Sequence, residues 1–457
     1  MPEHGENVPG YRKVRVTVPA GPEAALADKE AWRAREAYPE ILGAGGPIFG
    51  VVREREQGGW EVLPYFGSHT PQDARDSMAV HFRTTAQELA EAGEAAARAA
   101  YLAAAERLDW EPLDALTVHG TRYRVARAEQ FIRMGPDGPE PPRRSDPAPD
   151  PRPPSRRRAR RTPDPVDWFV IDADTVTGMS EGLLKMELLS LVHGPGTVPP
   201  DVRGDSLSAA QTHPGGVLLP PAFMIAERID GRWAAESSAR ATPQEARESL
   251  SMDLRVMAPV MRRLDAAERA EYARAADRWD ADQDVVLDVG GRHLRLVRVE
   301  RLVRLGADGP EGPRPSDHDP QPPVNVHTRQ LRERGLLADE DDEDGEGAAE
   351  HAVREPDPDA QELLRLFEAE RARQDALEAA ADPPPVPAPT TPAPTTPAPA
   401  EPPRPAPPDP AASAEDSAHP APAGPPGRPA VPAGEPGPPG EPTEGPGHLT
   451  DPTGRPT

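Results

Sequence analysis

A chain of 457 residues with a net charge of −25, 64 prolines, an apolar share of 36% and no cysteine excludes several classes at once. Without cysteine there is no disulfide framework, thiolate metal site or cysteine nucleophile, and the acidic balance argues against nonspecific binding to DNA or anionic membranes. Prolines crowd into the region after residue 382 and into a break near residues 136 to 165, which leaves roughly 300 residues able to bury a core.

The first element is the alternating run Val14-Arg15-Val16-Thr17-Val18, a short strand, followed by a helix over Pro22 to Tyr38. Much farther along, Trp168-Phe169-Val170-Ile171 reads as a strand and Glu181 to Val192 as a helix, a similar opening to a second half. The next element is a hairpin in each half. Ile48 to Arg55 and Trp60 to Phe66 flank Gln57-Gly58-Gly59, while Met224 to Ile229 and Arg232 to Glu236 flank Asp230-Gly231. Glycine supplies the positive φ that such turns need, and the tryptophan after each turn is expected to pack on the sheet.

Thr70-Pro71-Gln72-Asp73-Ala74-Arg75 returns as Thr242-Pro243-Gln244-Glu245-Ala246-Arg247. Threonine at the N-cap, proline at the first helical position and an acid three residues on predict two capping boxes. Ala74, Met78 and Phe82, like Ala246, Leu250 and Leu254, give each helix one buried stripe. Arg75 and Arg247 lie off that stripe, where pairing with a neighbouring carboxylate is expected and anion binding is the alternative. Longer helices follow, about Ala86 to Leu108 and Ala258 to Trp279. A final strand pair closes each half: Leu116 to Val118 with Arg122 to Arg127, and Val286 to Val289 with His293 to Val299. There Tyr123 and Val125, matched by Leu294 and Leu296, face inward, and Arg122, Arg124 and Arg295 face out.

Each half ends in a stiff polar loop, Asp137-Gly138-Pro139-Glu140 to Arg143 and Asp146, matched by Asp308-Gly309-Pro310-Glu311 to Arg314 and Asp317. It reads as a strap over the sheet edge held by an Arg to carboxylate contact, with a ligand or partner site as the alternative. The candidate binding residues are therefore Asp137, Arg143, Asp146, Asp308, Arg314, Asp317, Arg75 and Arg247.

The recurrence at nearly constant spacing predicts an α+β protein of two tandem duplicated units, each ββααββ with or without the preceding strand and helix, and with helices on one face of an antiparallel sheet. The expected division is a first repeat over 10–147, a Pro/Arg-rich linker over 148–165 containing Arg156 to Arg161, and a second repeat over 166–320. An acidic linker follows over 321–357, then an isolated helix over 358–381 and a disordered Pro-rich tail over 382–457. About −18 of the net charge lies beyond residue 335, so the repeats are only mildly acidic.

No Walker loop, H-E-x-x-H or EF-hand pattern occurs, and Gly43-Ala44-Gly45-Gly46-Pro47 lacks the third glycine of a dinucleotide loop. No catalytic residue, metal site or cofactor is assigned. The E-R-x-x-G-x-W hairpin, the T-P-Q-[DE]-A-R helix start and the D-G-P-E loop together resemble an uncharacterised actinomycete family, a domain of unknown function, over roughly residues 10 to 320. That resemblance implies an intracellular bacterial protein and brings no known activity. Asp230-Gly231-Arg232-Trp233 and Thr242-Pro243-Gln244-Glu245-Ala246 also resemble the small DNA-binding sheet domain of tyrosine recombinases. The strand after Trp233, however, is Ala234-Ala235-Glu236-Ser237, without the basic and aromatic residues of a groove-reading sheet.

The N-terminus has no basic start or apolar run, and no segment approaches the ~20 apolar residues of a membrane span. A cytoplasmic, non-catalytic protein that binds another protein is expected, with no membrane partner. Nucleic-acid binding through Arg122, Arg124, Arg295 and the Arg156 to Arg161 linker is the alternative, and an enzyme whose site is assembled from distant loops is the third reading.

Overall fold

The computed structural model describes residues 14–18, 21–146, 164–282, 284–337 and 357–381. Arg156 to Arg161, the acidic run 339–344 and the stretch from residue 382 lie outside them.

The first lobe runs β1 (Arg15–Val16), α1 (Pro22–Ala37), β2 (Glu40–Gly43), β3 (Ile48–Glu54), β4 (Trp60–Val62), α2 (Pro71–Glu91), α3 (Ala95–Trp110), β5 (Ala115–Val118), β6 (Thr121–Gly135) and β7 (Gly138–Pro139). After β8 (Val170–Ile171), β9 (Val176–Thr177) and α4 (Met179–Ser190), the second lobe takes up the same order. It runs α5 (Pro200–Thr212), β10 (Gly215–Ile229), β11 (Arg232–Ala235), α6 (Pro243–Met252), a π-helical turn (Asp253–Met257), α7 (Ala258–Met261), α8 (Ala266–Ala281), β12 (Val286–Val289), β13 (Arg292–Gly306) and β14 (Gly309–Pro310). Two further helices are α9 (Val324–Glu333) and α10 (Pro358–Ala381).

The mixed α+β architecture expected from sequence is present. Twelve of its strands form one curled antiparallel sheet in the order β11-β10-β13-β6-β3-β4-β8, with β2, β5, β7, β12 and β14 paired to β6 or β13, and β1 and β9 pair in parallel apart from it. The centre is the β6–β13 pairing, where Glu129 opposes Leu302 and Phe131 opposes Glu300. Glu129 and Glu300 are counterparts in the two lobes, as are Phe131 and Leu302. Exchanging counterparts maps the register onto itself, the mark of a twofold axis through the middle of the sheet.

Each lobe buries one sheet face under helices. In the first, Phe49, Val51, Tyr123 and Val125 meet Met78, Phe82, Tyr101 and Leu108. Phe82 stands edge-on to Tyr123 at 4.8 Å between ring centroids, an arrangement aromatic quadrupoles favour. In the second, Phe223, Ile225, Leu294 and Leu296 meet Leu250, Leu254, Tyr272 and Trp279.

Several elements differ from expectation. The closing strands extend to Gly135 and Gly306, well past Arg127 and Val299, because the alternation continues through charged residues that the fold buries. The first helical break falls at Gly93, whose φ of 78° ends α2. In the second lobe the π turn lies immediately before Pro259, which has no N–H to give to an α-helical ladder. The threonine caps are present, with Asp73 and Glu245 N–H groups donating to the Thr70 and Thr242 hydroxyls at 3.1 Å. Glu245 reaches back to the N–H of Ala241, one residue before the cap, and a full capping box stands instead at Asp265 and Glu268. The counterpart of α1 is α5, not the helix at 181–192: Ser145 N–H donates to Glu30 of α1 as Ser316 N–H donates to Asp205 of α5.

Candidate functional site

Beyond Val125 and Leu296, the helix-facing side of β6 and β13 turns charged, and it does so at the sheet centre where neither helical layer reaches. Arg127, Glu129 and Arg133 follow on β6; Arg298, Glu300 and Arg304 follow on β13. Over them lie the two proline-stiffened straps, each reaching the opposite lobe. Arg298 Nε donates to both oxygens of Asp146 at 3.0 and 3.1 Å, and Arg127 Nε donates to both oxygens of Asp317 at 3.0 and 3.1 Å. Arg143 bonds Glu140 at 2.6 Å and Glu300 at 3.3 Å; Arg314 bonds Glu311 at 2.6 Å and Glu129 at 2.9 Å. The Arg143 and Arg314 N–H groups donate to Asp146 and Asp317 at 2.6 and 2.7 Å. Even the backbone agrees, with Arg127 N–H to Glu311 O at 2.8 Å and Arg298 N–H to Glu140 O at 2.9 Å.

Arg127, Glu140, Asp146, Arg298, Glu300, Glu311 and Arg314 are buried and Glu129, Arg143 and Asp317 are partly so, so their electrostatics are strong and their balance matters. Burial alone would raise the Glu129 carboxyl, but Arg314, Arg127 and Arg304 around it hold it below the usual range. Glu300 behaves alike: burial raises it, and Arg298, Arg143 and Arg133 more than offset that. α4 crosses the axis between the two clusters. Its Leu184 and Leu188 pack on Phe131 and Leu302, Glu187 takes Arg133 at 3.1 Å, and the carbonyls of Leu189 and Leu191 accept from Arg304 at 3.2 Å.

The sequence candidates thus fall into separate places. Arg143, Asp146, Arg314 and Asp317 converge at the centre. Asp308 accepts from Arg122 at 3.0 Å and from Arg124, and those two guanidiniums lie 5.3 and 5.6 Å from the Trp60 ring centroid. The Asp137 carbonyl accepts from Arg295 at 2.7 Å. Arg75 pairs with Asp114 at 2.7 Å and Asp319 at 2.6 Å. Arg247 instead meets backbone carbonyls, those of Trp279 at 3.1 Å, Asp282 at 3.0 Å and Asp284, while stacking 4.4 Å over Trp279. Arg127, Glu129, Arg298 and Glu300, the hub of the network, were not among the sequence candidates. Their signal was there: the same charge at the same inward register in both halves.

The tryptophan hairpins complete the exchange. Trp60 packs against Gly309 of the second strap and Trp233 against Gly138 of the first. Both glycines have φ near 110°, and a Cβ on Gly309 would come within 2.6 Å of the indole. Beside Trp60 open a cleft of about 260 Å³, bordered by Glu54, Arg122, Ile171, Asp172 and Asp308, and a smaller one of about 110 Å³. Among the described residues, no group of three or more His, Asp or Glu side chains is arranged to hold a metal ion, and no helix is long and apolar enough to cross a membrane.

A continuous sheet whose two lobes trade straps over a buried ion-pair network defines an α+β protein with an internal axis and small clefts. The chain belongs to the Family of unknown function (DUF5954), whose model matches residues 21–320. No curated protein and no solved structure matches it.

Proposed function

We propose that this is a non-catalytic, cytoplasmic protein-binding module formed by duplication of one α+β unit, with repeats over 10–147 and 166–320 and a C-terminal recruitment arm. The reciprocal contacts between counterparts support the duplication. The arm reading rests on one observation. α10 lies on the second lobe through exposed ion pairs, Glu362 with Arg269 at 2.6 Å and Arg373 with Asp277 and Asp280 at 3.3 Å, and through one buried pair, Glu370 with Arg255 at 3.8 Å. Meanwhile it turns Leu364, Phe367 and Leu377 to solvent. Ion pairs of this exposure hold a helix weakly, and an apolar outer side is the feature a partner groove selects.

The test compares the full-length protein with a Leu364→Asp/Phe367→Asp variant as bait in lysate of the source cell. A protein retained by the first, lost by the second and rebinding after purification is the expected result. Equal capture by both baits, or conversion of any substrate by the purified protein, overturns the reading.

A further inference from the structure

The two ends of the sheet are built alike and finished differently. At the first-lobe end, β4 is sealed by a segment of the same chain. Val62 N–H donates to Phe169 O and Trp168 N–H donates to Val62 O, each at 2.8 Å, and Trp60 lies opposite Ile171 in antiparallel register. The docked segment sinks Val166 and Ile171 into the inner cluster that holds Trp60 and Val62.

At the other end, β11 pairs with β10 in the matching register: Ala226 opposes Ala235 and Arg228 opposes Trp233, as Val52 opposes Val62 and Glu54 opposes Trp60. Glu236 N–H bonds inward to Ile225 O as Leu63 N–H bonds to Val51 O. Hydrogen bonding alternates along an antiparallel strand, so Ala235, like Val62, points its N–H and C=O outward. Among the described residues nothing pairs with that edge. Ala234 and Ala235 are exposed and Trp233 is half-buried, whereas Val62 and Trp60 are buried.

An unpaired edge is a template for another strand. At its turn end this edge carries two arginines, Arg228 and Arg232, around Asp230; both are exposed and, among the described residues, have no ion pair, where the first lobe has Glu54 and Gly59, while Glu236 at the other end is engaged by Arg292. The segment that seals β4 is apolar at its centre and acid-flanked, by Asp164 and Asp167 before and Asp172 and Asp174 after.

We propose that the outer edge of β11 is a docking strip for an extended segment of a partner protein, added antiparallel, with an apolar centre and acidic flanks. The strip is distinct from the outer side of α10 and holds whether or not that helix recruits anything.

The probe is a labelled synthetic peptide with this chain's own residues 164–174, titrated into the full-length protein and followed by fluorescence anisotropy. Saturable binding below about 1 mM is expected. It weakens at least tenfold in Ala235→Pro, which removes the outward N–H, and also in Arg228→Glu/Arg232→Glu and at raised salt, while Leu364→Asp/Phe367→Asp leaves it unchanged. If Ala235→Pro loses its circular dichroism spectrum, the arginine pair alone decides. No saturable binding below that concentration overturns the proposal, as does binding that the deciding variants leave intact. A concentration-dependent dimer that Ala235→Pro dissolves also overturns it, assigning the strip to a second copy of this chain.

Discussion

At one rim of the sheet Trp60 and Val62 lie sealed under β8; at the other Trp233 and Ala235 stand at an edge with which no described residue pairs. The lobes differ again in their helices, since α2 runs unbroken over 21 residues while its counterpart breaks into α6, a π turn and α7. Their residues agree where the lobes meet: Arg127 with Arg298, Glu129 with Glu300, Arg143 with Arg314, Asp146 with Asp317. The contrast teaches which positions are constrained. A central residue must satisfy a partner on the opposite lobe, and any change there strands a buried charge, whereas a rim residue meets solvent or one neighbour.

The sharpest way to break that comparison is to remove one hub. Arg298→Met leaves buried Asp146 without a guanidinium and Glu300 with that of Arg143 alone, and is expected to cost about 3–5 kcal/mol, with Arg127→Met costing a similar amount, measured by urea unfolding. A cost below about 1 kcal/mol for either shows that the network is not what joins the lobes. The straps come next. Gly309→Ala and Gly138→Ala both force an L residue to positive φ, at about 1–2 kcal/mol each. Gly309→Ala is the more damaging because its Cβ meets the Trp60 ring closer than the Gly138 Cβ meets Trp233; thermal melts of the two variants read the order.

Acid separates the centre from the first lobe. His81, set beside the Tyr123 ring at 5.8 Å, is held neutral by burial and by Arg53, with its pKa lowered from 6.5 to about 4. Its contribution is complete above pH 6.5 and is lost as pH falls toward 4. Glu129 and Glu300, depressed below 4.5, contribute fully above that value and lose their contribution as pH falls through their lower folded values. His81→Phe should therefore flatten the stability profile between pH 6.5 and 4 and leave the steeper loss below 4.5 in place. A profile unchanged by the substitution assigns the upper limb elsewhere. The smallest effects belong to the caps: Thr70→Ala and Thr242→Ala are each expected to cost about 1 kcal/mol, and a difference between them larger than that cost marks one helix start as held by tertiary contacts instead.

Much of this fold was legible because local chemistry named it. Asp230-Gly231 and His119-Gly120 all have positive φ, so glycine and its neighbour announced both hairpins. Thr70 and Thr242 announced their helices. What the sequence hid were consequences of distance. Arg127 and Glu129 continue the inward register of Tyr123 and Val125, but beyond each other their charges have no partner in the first half of the sequence until a second strand carrying Arg298 and Glu300 is laid beside them and the straps close above. Arg75 and Arg247 look equivalent, yet Asp319 arrives beside the first from far along the chain, and the second finds the carbonyls at the end of α8. α5, interrupted by Gly204 and only thinly apolar, gave no periodic signal; its place is set by Asp205 bonding Ser316.

The straps carry a last implication about ancestry and synthesis. If a single module preceded this chain, it had no partner lobe to lend its loop to except another molecule, so it lived as a pair of interlocked subunits. Joining two such modules into one polypeptide would free the assembly from dilution. Two separately expressed pieces, severed between residues 147 and 164, should accordingly find each other and refold as one particle, while either alone stays incomplete.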